Sequence, residues 1–512
     1  MLLIYNLKLK NMSNYIKFKH AIVLVMVLMF SACMEDEGNY DYIEINEVSI
    51  DGLPDNYEVL QLDYFNIVPE LSFTLDENEQ GKYSYKWEAI QTLNVIGGDK
   101  VFELSTERDL LERVTLTPGE YELYYTVKDL TTELEVHKKF KLKVVTGFSE
   151  GWLLLSDTNN GARLDMVSKV GGEFNPIYNV LEGSGIELSG TADFVYTYPY
   201  KPNFYGIYVS TSGNGTIKLE PDTFEWKSIY NLSSEFVTSQ PTDLRADKVM
   251  GTLFNWGYAN VGGDLYHYYN ALGKFYGVKV NYIDNEPFEA SPISCMELTY
   301  GGYAMFYDNT NKRFVRNSQF GISSVMPNPA PESRLFDYTT GKDILYMVNN
   351  TFGGDFYYSN IFALLKDPAT SKSYVAQFIS WSGQQKHYSE IEATDFDKAT
   401  TYAISPNYGY LFYAVGSKLY QYDIFTKQTK LMEDLGSEEI TLIKFEPFLS
   451  WWNPVYAGMD KKLIVCSYDP SEQDGSNGAM RLYYVPEVNK QIELEATYTG
   501  FGKIKSIAYR ER

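Results

Sequence analysis

Apolar and polar positions alternate with a period of two along much of the chain, in short runs. Leu71-Ser-Phe-Thr-Leu75, Tyr83-Ser-Tyr-Lys-Trp87-Glu-Ala89, Leu123-Tyr-Tyr-Thr-Val127 and Phe140-Lys-Leu-Lys-Val144 each place large apolar side chains on one face. That is the mark of half-buried strands. Ile43, Ile45, Val48 and Ile50 open the series, and Asp51-Gly-Leu-Pro54, Asp76–Gly81 and Thr117-Pro-Gly119 supply turns. The pattern predicts a two-layer β-sandwich over residues 42–146, with Trp87 as its largest core side chain.

From Gly147 onward the rhythm changes to an apolar strand, a Gly/Asn/Asp turn and a second strand rich in aromatics. Trp152–Ser156 leads through Asn159-Asn-Gly161 to Leu164–Val167, and Tyr205–Val209 leads through Ser212–Gly215 to Ile217–Leu219. The same unit recurs at Tyr303–Tyr307 with Phe314-Val315, Ile344–Val348 with Phe356–Tyr358, Leu411–Val415 with Leu419–Tyr422, and Leu463–Cys466 with Leu482–Val485. Leu253–Val280 is a looser seventh unit, and no long amphipathic helix intervenes. An open sheet of this size would expose long edges, whereas a closed radial array protects them. Seven units across residues 147–512 average about 52 residues, near the size of propeller blades. The expected fold is all-β: a sandwich followed by a β-propeller of six to eight blades, with a pair of large sandwiches as the alternative.

The N-terminus carries an address. Lys8, Lys10, Lys17 and Lys19 precede the apolar run Ala21–Phe30, and no acid occurs before Glu35. Ten residues of helix span about 15 Å, half a bilayer core, so residues 1–32 read as a signal peptide rather than a membrane span. Met12 is a second possible start. The sequence Phe30-Ser-Ala-Cys33 resembles a bacterial lipobox, with Phe30 where Leu is usual. The resemblance implies lipidation of Cys33. Glu35, Asp36 and Glu37, in a tether over residues 33–41, resemble the surface-export signal of Bacteroidota lipoproteins. Together they imply an outer-membrane, lipid-anchored protein exposed at the cell surface.

Charge narrows the partners. With 44 Lys and Arg against 67 Asp and Glu, the chain carries a formal charge of −23. Such an acidic chain is a poor candidate for binding nucleic acid or anionic membrane surfaces, because the phosphate contribution is repulsive. Forty-five Tyr and 29 Phe favour pleated structure.

Catalytic motifs are missing from the sequence: it has no Gly-x-Ser-x-Gly, His-Glu-x-x-His, P-loop or Cys-x-x-Cys. His137, His267 and His387 remain beyond the signal. His267 and Asp264 fall on opposite faces of a strand and do not form a dyad. Asp469–Gly478 is a poor version of a calcium loop. Asp395 and Asp397 share one face if strand-borne, a glycosidase-like pair that 67 acids produce by chance. No catalytic residue, metal or cofactor is expected. Cys295 and Cys466 either pair in an oxidising compartment or act as small buried hydrophobes. Binding has better compositional support, through aromatic rings that stack on sugars or peptide side chains. The candidates lie in or beside Gly/Asn-rich segments: Trp451, Trp452, Trp256, Tyr258, Tyr266, Tyr268, Trp381 and Tyr388. Two adjacent Trp cannot both face inward on a strand, which favours Trp451 and Trp452.

A strand-central Trp followed by Gly119-Glu-Tyr121 and Val127-Lys-Asp129 is similar to Ig-like sandwiches, and specifically to PKD domains. Combined with Cys33-Met-Glu-Asp-Glu-Gly-Asn-Tyr-Asp-Tyr42 and Gly151-Trp-Leu-Leu-Leu-Ser156, the chain resembles the PKD-like lipoproteins of Bacteroidota. That resemblance implies an accessory of a nutrient-uptake system, with a SusC-like transporter and a SusD-like lipoprotein as partners and a glycan or peptide as ligand. Two other readings stand beside it. A polysaccharide-acting propeller hydrolase or lyase requires acids converging at the central mouth. A purely structural subunit of the transporter complex requires a contiguous apolar patch without an aromatic cleft.

Overall fold

The computed structural model describes residues 45–511 except 62, 77–78, 92–99, 146, 148–149, 198–205, 222, 253–255, 270–275, 299–301, 354–357, 449–452 and 473–474. Residues 1–32, read above as a signal peptide, together with Cys33 and the acids Glu35, Asp36 and Glu37, lie outside the described residues.

The first unit is a sandwich. A five-stranded sheet is built from Asn56–Leu60, Glu135–Val145, Gly119–Asp129, Tyr83–Gln91 and Lys100–Ser105, in that order. Val48–Asp51 pairs with Glu70–Phe73, and Tyr64–Ile67 pairs with Leu110–Arg113, completing the second layer. The alternation in Gly119–Asp129 is strict, so Tyr121, Leu123, Tyr125 and Val127 are all buried. Trp87 is wholly buried as its pattern predicts, stacked on Tyr125 at 4.1 Å, and its indole N–H donates to the Glu107 carbonyl at 3.2 Å. Tyr121 donates its hydroxyl to the Thr117 carbonyl at 2.7 Å, a corner that ties the turn to the strand.

The second unit is a propeller with seven blade sheets among the described residues, and a two-stranded hairpin, Tyr282–Ile283 with Glu286–Pro287, between blades 3 and 4. Blades 4 to 7 each take four consecutive strands, and their inner strands are Cys295–Met296, Asp343–Asn350, Thr401–Ile404 and Glu439–Lys444. Among the described residues, blades 2 and 3 hold three strands each, with Ala192–Thr197 and Lys248–Gly251 innermost. Blade 1 is closed from the other end of the chain. Its inner strand is the C-terminal Lys503–Arg510, paired antiparallel with Gly151–Thr158 from Gly151↔Arg510 to Asp157↔Lys503. Inner strands neighbour one another in order around the ring, and the C-terminal strand lies between those of blades 7 and 2.

The cores sit between blades. The second strand of blade 6, Leu411–Val415, sends Phe412 and Ala414 to one neighbour and Leu411 and Tyr413 to the other. Burial on both faces explains why such strands are continuously apolar rather than alternating. One hairpin differs from its sequence reading. Ile344–Val348 belongs to an inner strand whose partner is Asn360–Lys366, and Tyr358 lies in the connection between them. Tyr358 adopts φ +56° there, a left-handed conformation incompatible with strand.

Candidate functional site: the central channel

Closing the ring leaves a cavity of about 540 Å³, walled by residues from all seven inner strands, including Tyr196, Lys248, Cys295, Tyr346, Tyr402, Lys444 and Ala508. Tyr196 links blades 2 and 3, donating to the Gly251 carbonyl at 3.2 Å and accepting from the Gly251 N–H at 2.7 Å. Tyr346 and Tyr402 bring their rings to 6.1 Å across blades 5 and 6. Methionines Met250 and Met347 complete an apolar wall carrying few polar groups, the general make-up of a small-molecule site.

Two lysines project into this wall. Lys444 pairs with Glu446 at 2.6 Å and donates to the Ile507 carbonyl at 3.1 Å. Lys248 donates to the Ser294 carbonyl, and among the described residues no carboxylate forms an ion pair with it. Burial pushes the Lys248 ammonium down to about 8; the nearby Cys295 thiol offsets this slightly, and Lys444 adds to it.

One mouth of the channel is acidic. The inner strands all run in one sense, so their C-terminal ends share a face, where Glu446 and Glu511 follow the inner strands of blades 7 and 1. Glu150 and Asp460, just before the second strands of those same blades, lie at the same end. Tyr358 bridges this mouth, its hydroxyl donating to the Phe448 carbonyl at 2.8 Å while its own carbonyl accepts from Asn349 at 2.7 Å. A bulky residue held at positive φ costs on the order of 1–3 kcal/mol and is typical of constrained functional regions. Burial raises the proton affinity of Glu446, against the pull of Lys444. Burial also raises that of Asp460, whose Oδ1 is enclosed without a hydrogen-bond partner among the described residues. Glu511 is pushed up to about 7 by burial and then by Glu446 and Glu150.

This cluster makes stability depend on pH. A carboxyl whose folded pKa lies above its ordinary value stabilises the fold below that ordinary value and loses the contribution as pH rises through the folded one. The thermal midpoint is therefore expected to fall between pH 5 and pH 8, with Glu511 contributing on the order of 3 kcal/mol. Glu511→Gln should flatten the decline in a differential scanning series, and an unchanged slope would contradict the assignment.

The aromatic candidates read from the sequence do not converge. Trp256 and Tyr258 are strand residues with less than 2% exposure, which corrects their reading as loop aromatics open to a ligand. Their alternation with small Gly257 and Ala259 sends both rings into the core between blades 3 and 4, and Tyr258 donates to Asn317 and to the Ser318 carbonyl. His267 is packed against the Tyr258 ring at 5.0 Å. Tyr266 and Tyr268 are half-buried between blades 2 and 3, against Phe236 at 4.9 Å and Tyr276 at 5.4 Å. Tyr388 lies between Tyr374 and Phe336 on the outer strand of blade 5. Trp381 is 61% exposed in the turn before that strand. Trp451 and Trp452 lie outside the described residues. Asp395 and Asp397 flank and enter a 3-10 turn, not a strand, and Asp395 pairs with Lys398 at 2.6 Å. Cys295 and Cys466 are both free and buried, with burial pushing each thiol up to about 12. The channel tyrosines and lysines gave no sequence signal of their own, because only ring closure turns them toward a common space.

Residues 33–191 match the model of the PKD-like family, a stretch that takes in the sandwich and runs on through the first blade's own strands. No curated protein matches the chain. A quinonprotein alcohol dehydrogenase-like protein from Bacteroides thetaiotaomicron is similar over 92% of this chain and 100% of its own, at 12% identity and TM-score 0.42. A DUF4784 family protein from Bacteroides caccae is similar over 92% and 100%, at 10% identity and TM-score 0.30. A lignostilbene dioxygenase from Pseudomonas brassicacearum is similar over 71% and 93%, at 9% identity and TM-score 0.39. Among the described residues, no helix is long and apolar enough to cross a membrane.

Proposed function

We propose that the chain is a lipid-anchored, cell-surface binding lipoprotein, an accessory of a SusC/SusD-type outer-membrane system that takes up glycan or peptide, and that its propeller channel holds the ligand. The observation that carries this is the cavity of about 540 Å³ at the junction of all seven inner strands. Its volume is that of a small-molecule site, and its few polar groups are set in an apolar wall. The lipobox-like Phe30-Ser-Ala-Cys33, the acids that follow it, and a PKD-like match that begins at residue 33 support the surface anchor. In this reading the sandwich is the spacer and the propeller the receptor. A mild-detergent pull-down of the lipidated protein from its own outer membrane tests the partnership. Recovery of a SusC-like and a SusD-like protein in fixed ratio is expected, and recovery of the protein alone would contradict the accessory role.

One observation favours a second reading, a polysaccharide-acting hydrolase or lyase. Acids do converge at the channel mouth, and burial raises the proton affinity of Glu446, Asp460 and Glu511, as a general acid requires. Under that reading the protein depolymerises a polysaccharide and Glu511→Gln abolishes turnover. Saturable binding with no product formation would reject it.

A further inference from the structure

The channel is electrically polar along its axis. At one end stand Glu446 and Asp460, which line the cavity, and behind them lies Glu511. Lys248 opens its inner strand and Gly251, at the mouth, ends it. Three residues of strand put the base of Lys248 about 10 Å below the acidic rim. Its ammonium bonds the Ser294 carbonyl, which precedes the inner strand of blade 4, so the charge stays in this deeper half. Lys248, Cys295 and Tyr346 all line the cavity, and the Cys295 thiol is within electrostatic range of the other two. Tyr346 keeps its proton, since burial raises its pKa, and offers a hydroxyl donor. The deep half therefore presents one cation without a carboxylate partner among the described residues, together with a neutral donor. The rim presents the carboxyl of Glu446, already paired with Lys444, and that of Asp460, which has an enclosed oxygen that no described residue satisfies. In a channel with a largely apolar wall such a pair of poles selects a ligand of matching polarity and orientation.

We propose that the channel ligand is a zwitterionic short peptide, its free carboxylate held by Lys248 and Tyr346 and its free ammonium held at the rim by Glu446 and Asp460. An extended chain spans at most about 3.3–3.6 Å per residue, so three or four residues bridge the two poles. A neutral glycan can hydrogen-bond both groups through its hydroxyls, but it brings no counter-charge for Lys248. An acidic oligosaccharide matches the lysine but is repelled at the rim. The inference rests on the channel being the ligand site and goes beyond that reading by choosing between its two ligand classes.

The test is calorimetric titration of the full chain with a mixed-sequence tri- and tetrapeptide pool, with the same peptides N-acetylated or C-amidated, and with neutral oligosaccharides. Unmodified peptides should bind at least tenfold more tightly than either blocked form. Lys248→Met should remove the penalty for amidation and keep that for acetylation, and Asp460→Asn should do the reverse. Leu298→Trp adds bulk to the channel wall at a partly exposed residue outside the hydrophobic clusters, and should abolish binding of every form. Neutral oligosaccharides that bind and are blocked by Leu298→Trp would overturn the peptide assignment while leaving the channel as the site. Binding of any class that is indifferent to Leu298→Trp would overturn the channel reading itself. Peptide binding indifferent to both terminal blocks would overturn the two-pole account, and circular dichroism of each variant separates misfolding from lost affinity.

Discussion

Deleting residues 503–512 should abolish cooperative folding of the propeller. The deletion removes the inner strand of blade 1, and with it the residues that join the two ends of the ring. Ile504, Ile507, Ala508 and Tyr509 are all buried, and they pack into the cores on either side of blade 1. Burial of the two isoleucines alone is worth about 3–6 kcal/mol, against a net domain stability of about 5–15 kcal/mol. The loss also strips the hydrogen-bonded edge of Gly151–Thr158, whose Trp152 and Leu154 pack beside Tyr509 and Ile507. In a thermal scan followed by near-ultraviolet dichroism, the truncated chain should lose the propeller's transition. A truncated protein that melts within a few degrees of the full chain would show that the ring is not closed by this strand.

The second large effect is expected at Gly478→Ala. Gly478 begins the third strand of blade 7, beside the point where the chain leaves Phe501 and turns through Gly502 into the closing strand. A Cβ at position 478 would sit 1.8 Å from the Gly502 carbonyl oxygen, and one at 502 would sit 2.3 Å from the Asp157 carbonyl oxygen. Both obstacles are backbone, so neither can swing aside as a side chain would. The crossing must open, at a cost of at least about 3 kcal/mol, the upper range for overpacking. Urea titration should show the loss as a lower midpoint, and a change below about 1 kcal/mol would mean that the two backbones are not in contact.

These two predictions concern the part of the fold that local pattern could not reveal. The hairpins legible in the sequence are mostly the second and third strands of blades, such as Leu411–Val415 with Lys418–Asp423. They are joined by tight turns and buried on both faces, so their apolar runs stand out. Most inner strands lack both signals, Asp343–Asn350 with its apolar Ile344–Val348 being the exception. Cys295–Met296 is two residues long, and Lys248–Gly251 begins with a charge that reads as solvent-facing. The closing strand pairs with a partner from the other end of the propeller, a contact that no local periodicity encodes. For the same reason the repeats bounded the blade number without fixing it at seven. The sandwich was more transparent, because Trp87, Tyr121 and Val127 mark positions whose neighbours are strictly alternating.

The site was harder to read than the fold. Tyrosine serves equally as a core ring and as a stacking platform, so composition alone could not distinguish Tyr258, buried between blades, from Tyr346 on the channel wall. Acidic residues showed the same ambiguity. Asp395 and Asp397 were close in sequence and proved to belong to a turn, whereas Glu150, Glu446, Asp460 and Glu511 come from distant segments and meet at one mouth.

The most direct test of the ligand site is a crystal structure of the protein grown with the tightest binder from glycan and peptide panels. Ordered ligand is expected inside the ring, between Tyr196, Lys248 and Tyr346, beneath the bridge that Tyr358 makes to Phe448. Ligand on Trp381 or on the outer strands, with the channel empty of it, would show that the channel is not the binding site.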